Sequence, residues 1–301
     1  MTIKLNAAQQ TDVGKEREQN EDAAYNYIVS ATQGDLGLFI VADGMGGYEA
    51  GEIASRIAIE TVSKTFSKTL TSFVTPIYDQ PTLRLNPAMA NQQVSVVEKQ
   101  KTHQLPETPL ASFIDDQLID AVRKANEEIM RYGEEHPSSR GLGCTITLAF
   151  VYNDQAYIAN VGDSRTYLLR ANNLIAITRD HSLVAKLVEE KQITEEEVYT
   201  HPQRNLIFRS LGAGHKDVEV DIFHETLYSG DMLLLCTDGL WEMVHKQDLL
   251  NLICSEFNTE DICNRLIDKA NENGGEDNIT AIVVHIDEND TEIQFENEEI
   301  I

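Results

Sequence analysis

Phe39-Ile40-Val41-Ala42-Asp43-Gly44-Met45-Gly46-Gly47 is the stretch that decides the fold of this 301-residue chain. Its apolar part, Leu38 to Ala42, is a short run of the kind found in buried strands. An acidic residue and a glycine-rich turn follow at once, and apolar residues then recur at helical spacing from Ile53 to Phe66. The pattern predicts a buried strand, a tight loop and an amphipathic helix, with Asp43 at the end of the strand.

The loop after this strand has two possible interpretations. Glycines at 44, 46 and 47 permit positive φ and leave the backbone bare, so a ligand can approach the carbonyl of Gly44 as well as the carboxylate of Asp43. That combination suits a hard cation. A plain turn with an Asx hydrogen bond is the commoner outcome for an isolated D-G-x-G-G sequence, so the rest of the chain has to decide.

The composition excludes several classes of function. Fifty acidic against 24 basic residues give a formal charge of −26, which would repel nucleic acid and anionic lipid, so we expect neither as a partner. The N-terminus lacks the apolar core of a signal peptide, and no run approaches the ~18 apolar residues of a membrane span, which favours a cytoplasmic protein. The cysteines are widely spaced without a C-x-x-C pair, and we interpret them as buried reduced thiols: Cys144, Cys236, Cys254 and Cys263.

Three further aspartates stand beside glycine, or just after it, at predicted strand ends: Asp163, Asp238 and Asp277. Chance would not usually repeat this arrangement. All-oxygen ligands select Mg²⁺ or Mn²⁺ over zinc, and several carboxylates in one cleft would repel each other unless a dication neutralised them. Nothing in the chain matches the acidic loop typical of calcium sites. Acids on separate strands therefore favour a catalytic metal cluster.

The remaining segments of the chain have a less specific pattern. Residues 67–111 are rich in proline and lack periodicity, which indicates an insertion or long loop. Residues 182–214 form a polar, mostly helical excursion between strands, which we interpret as a flap over a site. Residues 287–301 carry seven acids and no base, so this tail cannot fold alone. We expect a single enzyme-sized domain over residues 1–286 and a monomer.

A polar segment near the N-terminus gains interest from its residue types. In Arg17-Glu18-Gln19-Asn20-Glu21-Asp22, the guanidinium of Arg17 can hold a phosphate or carboxylate bidentately. The carboxylates of Glu21 and Asp22 could point at a metal ion. Taken alone, the segment is typical of a solvated loop.

Five motifs in order, R-x-x-N-E-D, V-A-D-G-M-G-G, G-D-S-R, T-D-G-L-W-E and E-D-N-I-T, span residues 17–284. Together they resemble the metal-dependent protein phosphatases (PPM family, type 2C Ser/Thr phosphatases) in their compact bacterial form. The resemblance implies an α+β fold with four layers, α-β-β-α, in which two antiparallel sheets are flanked by helix pairs. It also implies hydrolysis of phosphoserine and phosphothreonine in proteins, which a partner Ser/Thr kinase would have phosphorylated.

The resemblance further implies a binuclear Mn²⁺ or Mg²⁺ centre that activates a water molecule, and a weaker third ion. By matching motif, Asp43 would bridge two ions, the Gly44 carbonyl would bind one of them, and Asp238 and Asp277 would complete the protein ligands of the other. Glu21 and Asp22 would orient waters bound to the metal ions. Arg17 would hold the substrate phosphate, and Asp163 would bind the third ion. Eukaryotic members have a histidine where this chain has Met45, so we expect a metal-bound water to act as the general acid. We interpret His181 as a solvated loop residue.

Two alternatives belong to other classes of function. A catalytically inactive module of this fold would bind partners only, but such proteins lose metal ligands, and here every acid of the motifs is present. A metal-dependent phosphoesterase for nucleotides or other small phosphates would carry the same metal and phosphate ligands. Kinetic comparison of phosphopeptides with free nucleotides discriminates the second alternative from a protein phosphatase.

Overall fold

The computed structural model describes residues 2–31, 34–46, 50–74, 109–214, 216–255 and 258–288. Strands and helices alternate along these residues in the following order: β1 (Ile3–Asp12), β2 (Asp22–Ala31), β3 (Gly34–Met45), α1 (Ala50–Val74), α2 (Pro109–Glu135), β4 (Gly143–Cys144), β5 (Ile146–Tyr152), β6 (Gln155–Val161), β7 (Arg165–Arg170), β8 (Asn173–Ala176), α3 (Leu183–Glu189), α4 (Glu195–Val198), β9 (Leu211–Gly212), β10 (Asp221–Thr226), β11 (Met232–Cys236), α5 (Asp238–Trp241), α6 (Lys246–Ser255), α7 (Thr259–Glu272) and β12 (Ile279–Glu288).

The strands form two antiparallel sheets. The first sheet has the order β1-β12-β11-β7-β8, and the second has the order β10-β6-β5-β3-β4-β9, with β2 paired to β3. A hairpin turn at Asn153-Asp154 joins β5 to β6, and a second hairpin turn around Asn172 joins β7 to β8. Asn153 and Asn172 both have positive φ, which asparagine tolerates in tight turns.

Three clusters of buried apolar side chains separate four layers. In β3 the side chains of Leu38 and Ile40 face α1 and α2, whereas Phe39 and Val41 face the first sheet. A third cluster lies between the first sheet and helices α5 to α7, where Trp241 is buried. Because successive side chains of a strand point to opposite faces, a strand covered on both faces is apolar throughout. The predicted α-β-β-α sandwich is therefore confirmed.

Several predicted boundaries were wrong. The predicted insertion 67–111 overlaps both flanking helices, since α1 continues to Val74 and α2 begins at Pro109; residues 75–108 lie outside the described residues. The predicted tail 287–301 begins too early, because Asp287 and Glu288 pair with β1 in the first sheet. The rest of that tail also lies outside the described residues.

The flap and the cysteines also differ from prediction. Residues 182–214 hold only the short helices α3 and α4, and the rest is turns and bends that end in β9. The capping box predicted at the start of α4 is present, with Thr194 and Glu197 exchanging hydrogen bonds. Cys254 is exposed, whereas the other three cysteines are buried thiols as predicted. In the described part of the chain, no helix has the length and apolar character needed to cross a membrane.

Candidate metal centre

A narrow acidic cleft of about 210 Å³ lies at one edge of the sandwich, where ends of strands from both sheets meet. Its lining consists of Arg17, Glu21, Asp43, Gly44, Met45, Gly46, Thr145, Asp163, Asn205, Ile207, Asp238 and Asp277. Seven of the eight residues to which the family resemblance assigns a role in binding metal, water or phosphate are among them. Asp22 is the exception, since it does not line the cleft.

Asp43 lies near the end of β3, and the backbone on both sides of it is held. Its carbonyl accepts from the Thr145 N–H at 2.8 Å, and its own N–H donates to Thr145 Oγ1 at 3.3 Å. The next residue, Gly44, lies in β3 and not in a loop, so the tight loop begins later than predicted. A Cβ at Gly44 would stand 2.1 Å from the Gly51 carbonyl oxygen. The glycine is therefore required for close approach of α1, not for positive φ; the predicted loop residue Gly47 lies outside the described residues.

Asp238 and Asp277 approach the cleft from neighbouring strands of the first sheet. Asp238 opens α5 directly after β11, and Asp277 precedes β12. A Cβ at Gly239 would stand 2.1 Å from the Asn278 carbonyl oxygen, so a glycine at this position lets the two segments touch. Asp277 accepts from Arg17 Nη2 at 2.7 Å, which places the guanidinium at the rim of the cleft.

Asp22 lies behind the cleft wall, directly opposite Asp43 in the pairing of β2 with β3. Its Oδ2 accepts from Thr237 Oγ1 at 2.9 Å, whereas its Oδ1 is buried without a hydrogen-bond partner. Glu21 lines the cleft, and its carboxylate rests against Gly51 in the first turn of α1. An anion is favourable there because the N-terminal turn of a helix carries partial positive charge.

The turn that carries Asp163 is held by hydrogen bonds with His181 and Trp241. Gly162 has φ of +113°, and a Cβ there would stand 2.5 Å from Thr145 Cβ. The Gly162 N–H donates to His181 Nδ1 at 2.9 Å, and its carbonyl accepts from the His181 N–H at 2.9 Å. Trp241 Nε1 donates to the Asp163 carbonyl at 3.0 Å. The interpretation of His181 as solvated was wrong: the ring is buried, and burial lowers its pKa.

The carboxylates of the cleft have pKa values far from their usual range. Burial, and then repulsion from neighbouring carboxylates, raises the pKa of Asp43 and of Asp238 well above the ordinary value. Burial raises the pKa of Asp22 and of Asp163 to about 7 in each case. Burial also raises the pKa of Glu21. Clustered carboxylates of this kind hold protons near neutral pH unless a cation replaces them.

These residues fit a divalent cation of the Mg²⁺ or Mn²⁺ class. The donors are all oxygens, and two of them, Asp22 Oδ1 and Asp238 Oδ1, are buried without a partner. Within the described residues, no three acidic, histidine or cysteine side chains are yet gathered closely enough to hold an ion. The carboxylates line one cleft, and burial followed by their mutual repulsion raises the pKa values of Asp43 and Asp238.

Sequence reasoning missed the residues that support these acids. Thr145 and Thr237 hold Asp43 and Asp22 by hydrogen bonds, and Asn205 and Ile207 of the flap complete the lining. Thr237 has a weak signal, since it stands between a buried strand and Asp238. The two flap residues have none, because their segment shows no periodicity.

A second, larger cavity of about 620 Å³ lies between the flap and the first sheet. Among its lining residues are Arg165, Asp180, Tyr199 and Phe208. Its buried acid, Asp180, is neutralised by a bidentate bond from Arg165, with N–O distances of 2.9 Å and 2.7 Å. The smaller cleft is therefore the better candidate for catalysis, since its buried acids lack such a partner.

Comparison with known proteins agrees with this geometry. The family model described as protein phosphatase 2C matches residues 14–267. The Serine/threonine phosphatase stp of Listeria monocytogenes is 34% identical over 283 residues, which are 94% of this chain and 96% of that protein. Protein phosphatase PhpP of Streptococcus pneumoniae is 32% identical over 282 residues, 94% of this chain and 98% of that protein.

Solved structures show the same relationship. The serine/threonine phosphatase PstP/Ppp of Mycobacterium tuberculosis superposes with a TM-score of 0.72 at 31% identity, covering 94% of this chain and 99% of that one. The catalytic domain of PstP in complex with two manganese ions has a TM-score of 0.72 at 29% identity, covering 95% of this chain and 100% of that one. The chain belongs to the protein phosphatase 2C family and is a bacterial-type Ser/Thr protein phosphatase.

Proposed function

We propose that this protein hydrolyses phosphoserine and phosphothreonine in proteins with two Mn²⁺ or Mg²⁺ ions held in the acidic cleft. The observation that carries the proposal is the convergence of Asp43, Asp163, Asp238 and Asp277 from both sheets on one cleft, where among the described residues only Asp277 of these four has an ion pair with an arginine or lysine. The PstP domain of similar fold is known with two manganese ions, which supports the same number here.

The ligand roles that the family resemblance implies are proposed for this chain. Asp43 would hold both ions: after burial, the nearby carboxylates of Asp238, Asp22 and Asp163 raise its pKa, which supports a position among the other acids. The Gly44 carbonyl would serve one ion, and Asp238 and Asp277 the other. Glu21, which lines the cleft, and Asp22, which lies behind its wall, would orient water molecules. The chemistry that two dications supply is acidification of water and neutralisation of phosphate charge.

The protein's own residues would bind and orient the substrate. Arg17 lies at the rim with its side chain 47% exposed, so its guanidinium can exchange Asp277 for a phosphate group. Met45 lines the cleft next to Gly44, but a thioether cannot donate a proton to the leaving oxygen. We expect that proton transfer to depend on Asp163, as the ligand of a weaker third ion.

Substrates of this kind exist only where a Ser/Thr kinase has made them, so the reaction implies a partner kinase. The acidic net charge of −26 adds no attraction for free nucleotides, which are themselves anions. The relatives named as a serine/threonine phosphatase and a protein phosphatase favour a phosphoprotein over a small phosphate, and activity on the two can be compared directly.

The test is hydrolysis of a phosphothreonine peptide by metal-free protein, with and without added Mn²⁺, beside ATP at the same concentration. We expect activity to require Mn²⁺ in the millimolar range, because carboxylate and water ligands hold such ions weakly, and to favour the peptide. Calorimetric titration with Mn²⁺ should show at least two ions per chain. Turnover that survives thorough chelation, or a higher kcat/KM for ATP, would overturn the proposal.

A further inference from the structure

Asn278 makes an unusual set of hydrogen bonds at the base of the cleft. It follows Asp277 at the start of β12 and is 5% exposed. Its Oδ1 accepts from the Glu21 N–H at 2.8 Å, and its Nδ2 donates to the carbonyls of Val13 and Gln19, each at 2.9 Å. The amide orientation is self-consistent, since two carbonyl oxygens require the NH₂ group.

These bonds join the two ends of one loop. Val13 stands where the chain leaves β1, and Gln19 and Glu21 stand where it returns to β2. Arg17 lies between them, and the loop is also held where the Lys15 N–H donates to the Gly275 carbonyl at 2.7 Å. A single buried side chain therefore closes the loop that carries the phosphate-binding arginine.

We infer that Asn278 is a positioning residue, which sets Arg17 and Glu21 relative to the adjacent Asp277. The inference rests on the proposed function for the role of Arg17 but not for the geometry. Asp277 and Asn278 are neighbours in sequence, so the carboxylate and the loop that faces it share one backbone anchor. A shift of that anchor would move both sides of the phosphate site together.

The consequence is a specific division of kinetic effects. Loss of the amide leaves the carboxylates of Asp43, Asp238 and Asp277 in place, so metal binding should be unchanged. It removes the constraint on Arg17, whose contact with phosphate forms before the transition state. The apparent KM for a phosphopeptide should therefore rise about tenfold, with kcat changed less than about threefold.

The experiment compares Asn278→Ser with the matched control Asn126→Ser. Asn126 is also a buried asparagine, 1% exposed, that bonds to backbone, with its Oδ1 accepting from the Gly212 N–H at 2.7 Å. Both variants should melt at a lower temperature. Only Asn278→Ser should raise KM and speed hydrogen–deuterium exchange in residues 13–22, measured against the strand β11 of the same molecule.

A double-mutant cycle tests whether Asn278 acts through Arg17. In an Arg17→Ala background, Asn278→Ser should give no further rise in KM, because the group that it positions is already missing. Additive effects on KM, or exchange of residues 13–22 that matches the wild type, would overturn the inference. If the serine variant does not fold, the same KM and exchange measurements are made on Asn278→Asp, which keeps the acceptor and replaces the two donors by a negatively charged oxygen.

Failure of the proposed function has a different signature. A wild-type protein that does not hydrolyse phosphopeptides would refute the proposed function, whereas hydrogen–deuterium exchange of residues 13–22 would still report on Asn278. Unchanged exchange in the presence of normal wild-type turnover would refute the inference about Asn278 alone.

Discussion

Two sets of buried carboxylates in this molecule have opposite surroundings. Outside the cleft, Asp180 and Asp231 each accept bidentate bonds from an arginine, with closest N–O distances of 2.7 Å and 2.6 Å. Inside the cleft, Asp43, Asp163 and Asp238 have no ion pair with a lysine or arginine among the described residues.

The difference separates a structural role from a functional one. A buried acid that has an arginine partner is neutralised within the fold, and removal of either partner leaves a charge uncompensated. A group of buried acids without such partners is stable only when protons or an external cation neutralise it. The first set should therefore matter for stability, and the second for metal binding and turnover.

The largest effect should come from the cleft. Asp238→Asn removes a proposed metal ligand whose Oδ1 is buried without a partner among the described residues, so turnover on a phosphothreonine peptide should fall by about 10³-fold or more. The fold should persist, because one repelling carboxylate has been neutralised. Steady-state kinetics measure turnover, and calorimetry measures Mn²⁺ binding. Near-normal turnover would contradict the assignment of Asp238 as a metal ligand.

The matched change outside the cleft should affect stability instead. Asp180→Asn leaves the guanidinium of Arg165, which stacks 3.5 Å from the centre of the Trp241 ring, without its counter-charge. We expect the free energy of unfolding to fall by about 3 kcal/mol, as measured by urea denaturation with Mn²⁺ present. If Asp180→Asn is as stable as the wild type, the distinction between the two sets of acids fails.

Asp163 tests whether the acids of the cleft share one role. Asp163→Ala should keep two bound ions, yet lower turnover on a phosphopeptide by about 10²-fold. The loss on an activated aryl phosphate should be smaller, because a good leaving group gains less from an acid. Parallel rate measurements on both substrates test this difference. Equal losses, or calorimetric loss of the first two ions, would contradict a separate role for Asp163.

Arg17 should show a weaker effect of a different kind. Arg17→Ala removes the proposed phosphate contact, which would form before the transition state, so the apparent KM for a phosphopeptide should rise about tenfold while kcat changes little. Arg165 provides a comparison, because it is bonded to the buried Asp180. Arg17 lies at the rim of the cleft, where its guanidinium could exchange Asp277 for a phosphate group. A fall in kcat at constant KM would contradict the phosphate-binding role.

Asp43, Asp163 and Asp238 could be predicted from sequence because each one follows an apolar run at a strand end, and Asp277 because it precedes one. The residues that support these acids could not be predicted, because Asn278 and Thr145 form hydrogen bonds with backbone atoms that lie far away in the chain. Such single hydrogen bonds leave no periodic signal. The same sequence positions gain meaning only when the strands bring them together.

The errors in the prediction of the fold have similar physical causes. Strand β1 was not predicted, because Ile3 and Leu5 alternate with polar residues but the following Ala-Ala-Gln-Gln has little strand preference. Pairing with β12 over the whole length of β1 supplies the missing stability. Helix α1 continues to Val74 through serines and threonines, which have modest helix propensity. For β1, pairing within the sheet overrides a weak local preference.

The smallest predicted effect is on thermal stability, and it follows from the pKa values in the cleft. Burial raises the pKa of Asp22 and Asp163 to about 7 in the folded protein, above the ordinary value of 3.8. The folded state therefore binds more protons than the unfolded state between these two values, and the stability of the metal-free protein should fall as pH rises through this window.

The metal-free protein should thus melt about 2–4 °C lower at pH 7.5 than at pH 5.5, because the acids share protons and titrate gradually. Mn²⁺ should flatten or reverse this dependence, since ions displace the protons that the acids hold. Asp163→Asn, which removes one titrating group, should also flatten it. Differential scanning fluorimetry with and without chelator measures all three. A metal-free protein that melts higher at pH 7.5 than at pH 5.5 would show that cations within the fold, and not external ones, neutralise the acids of the cleft.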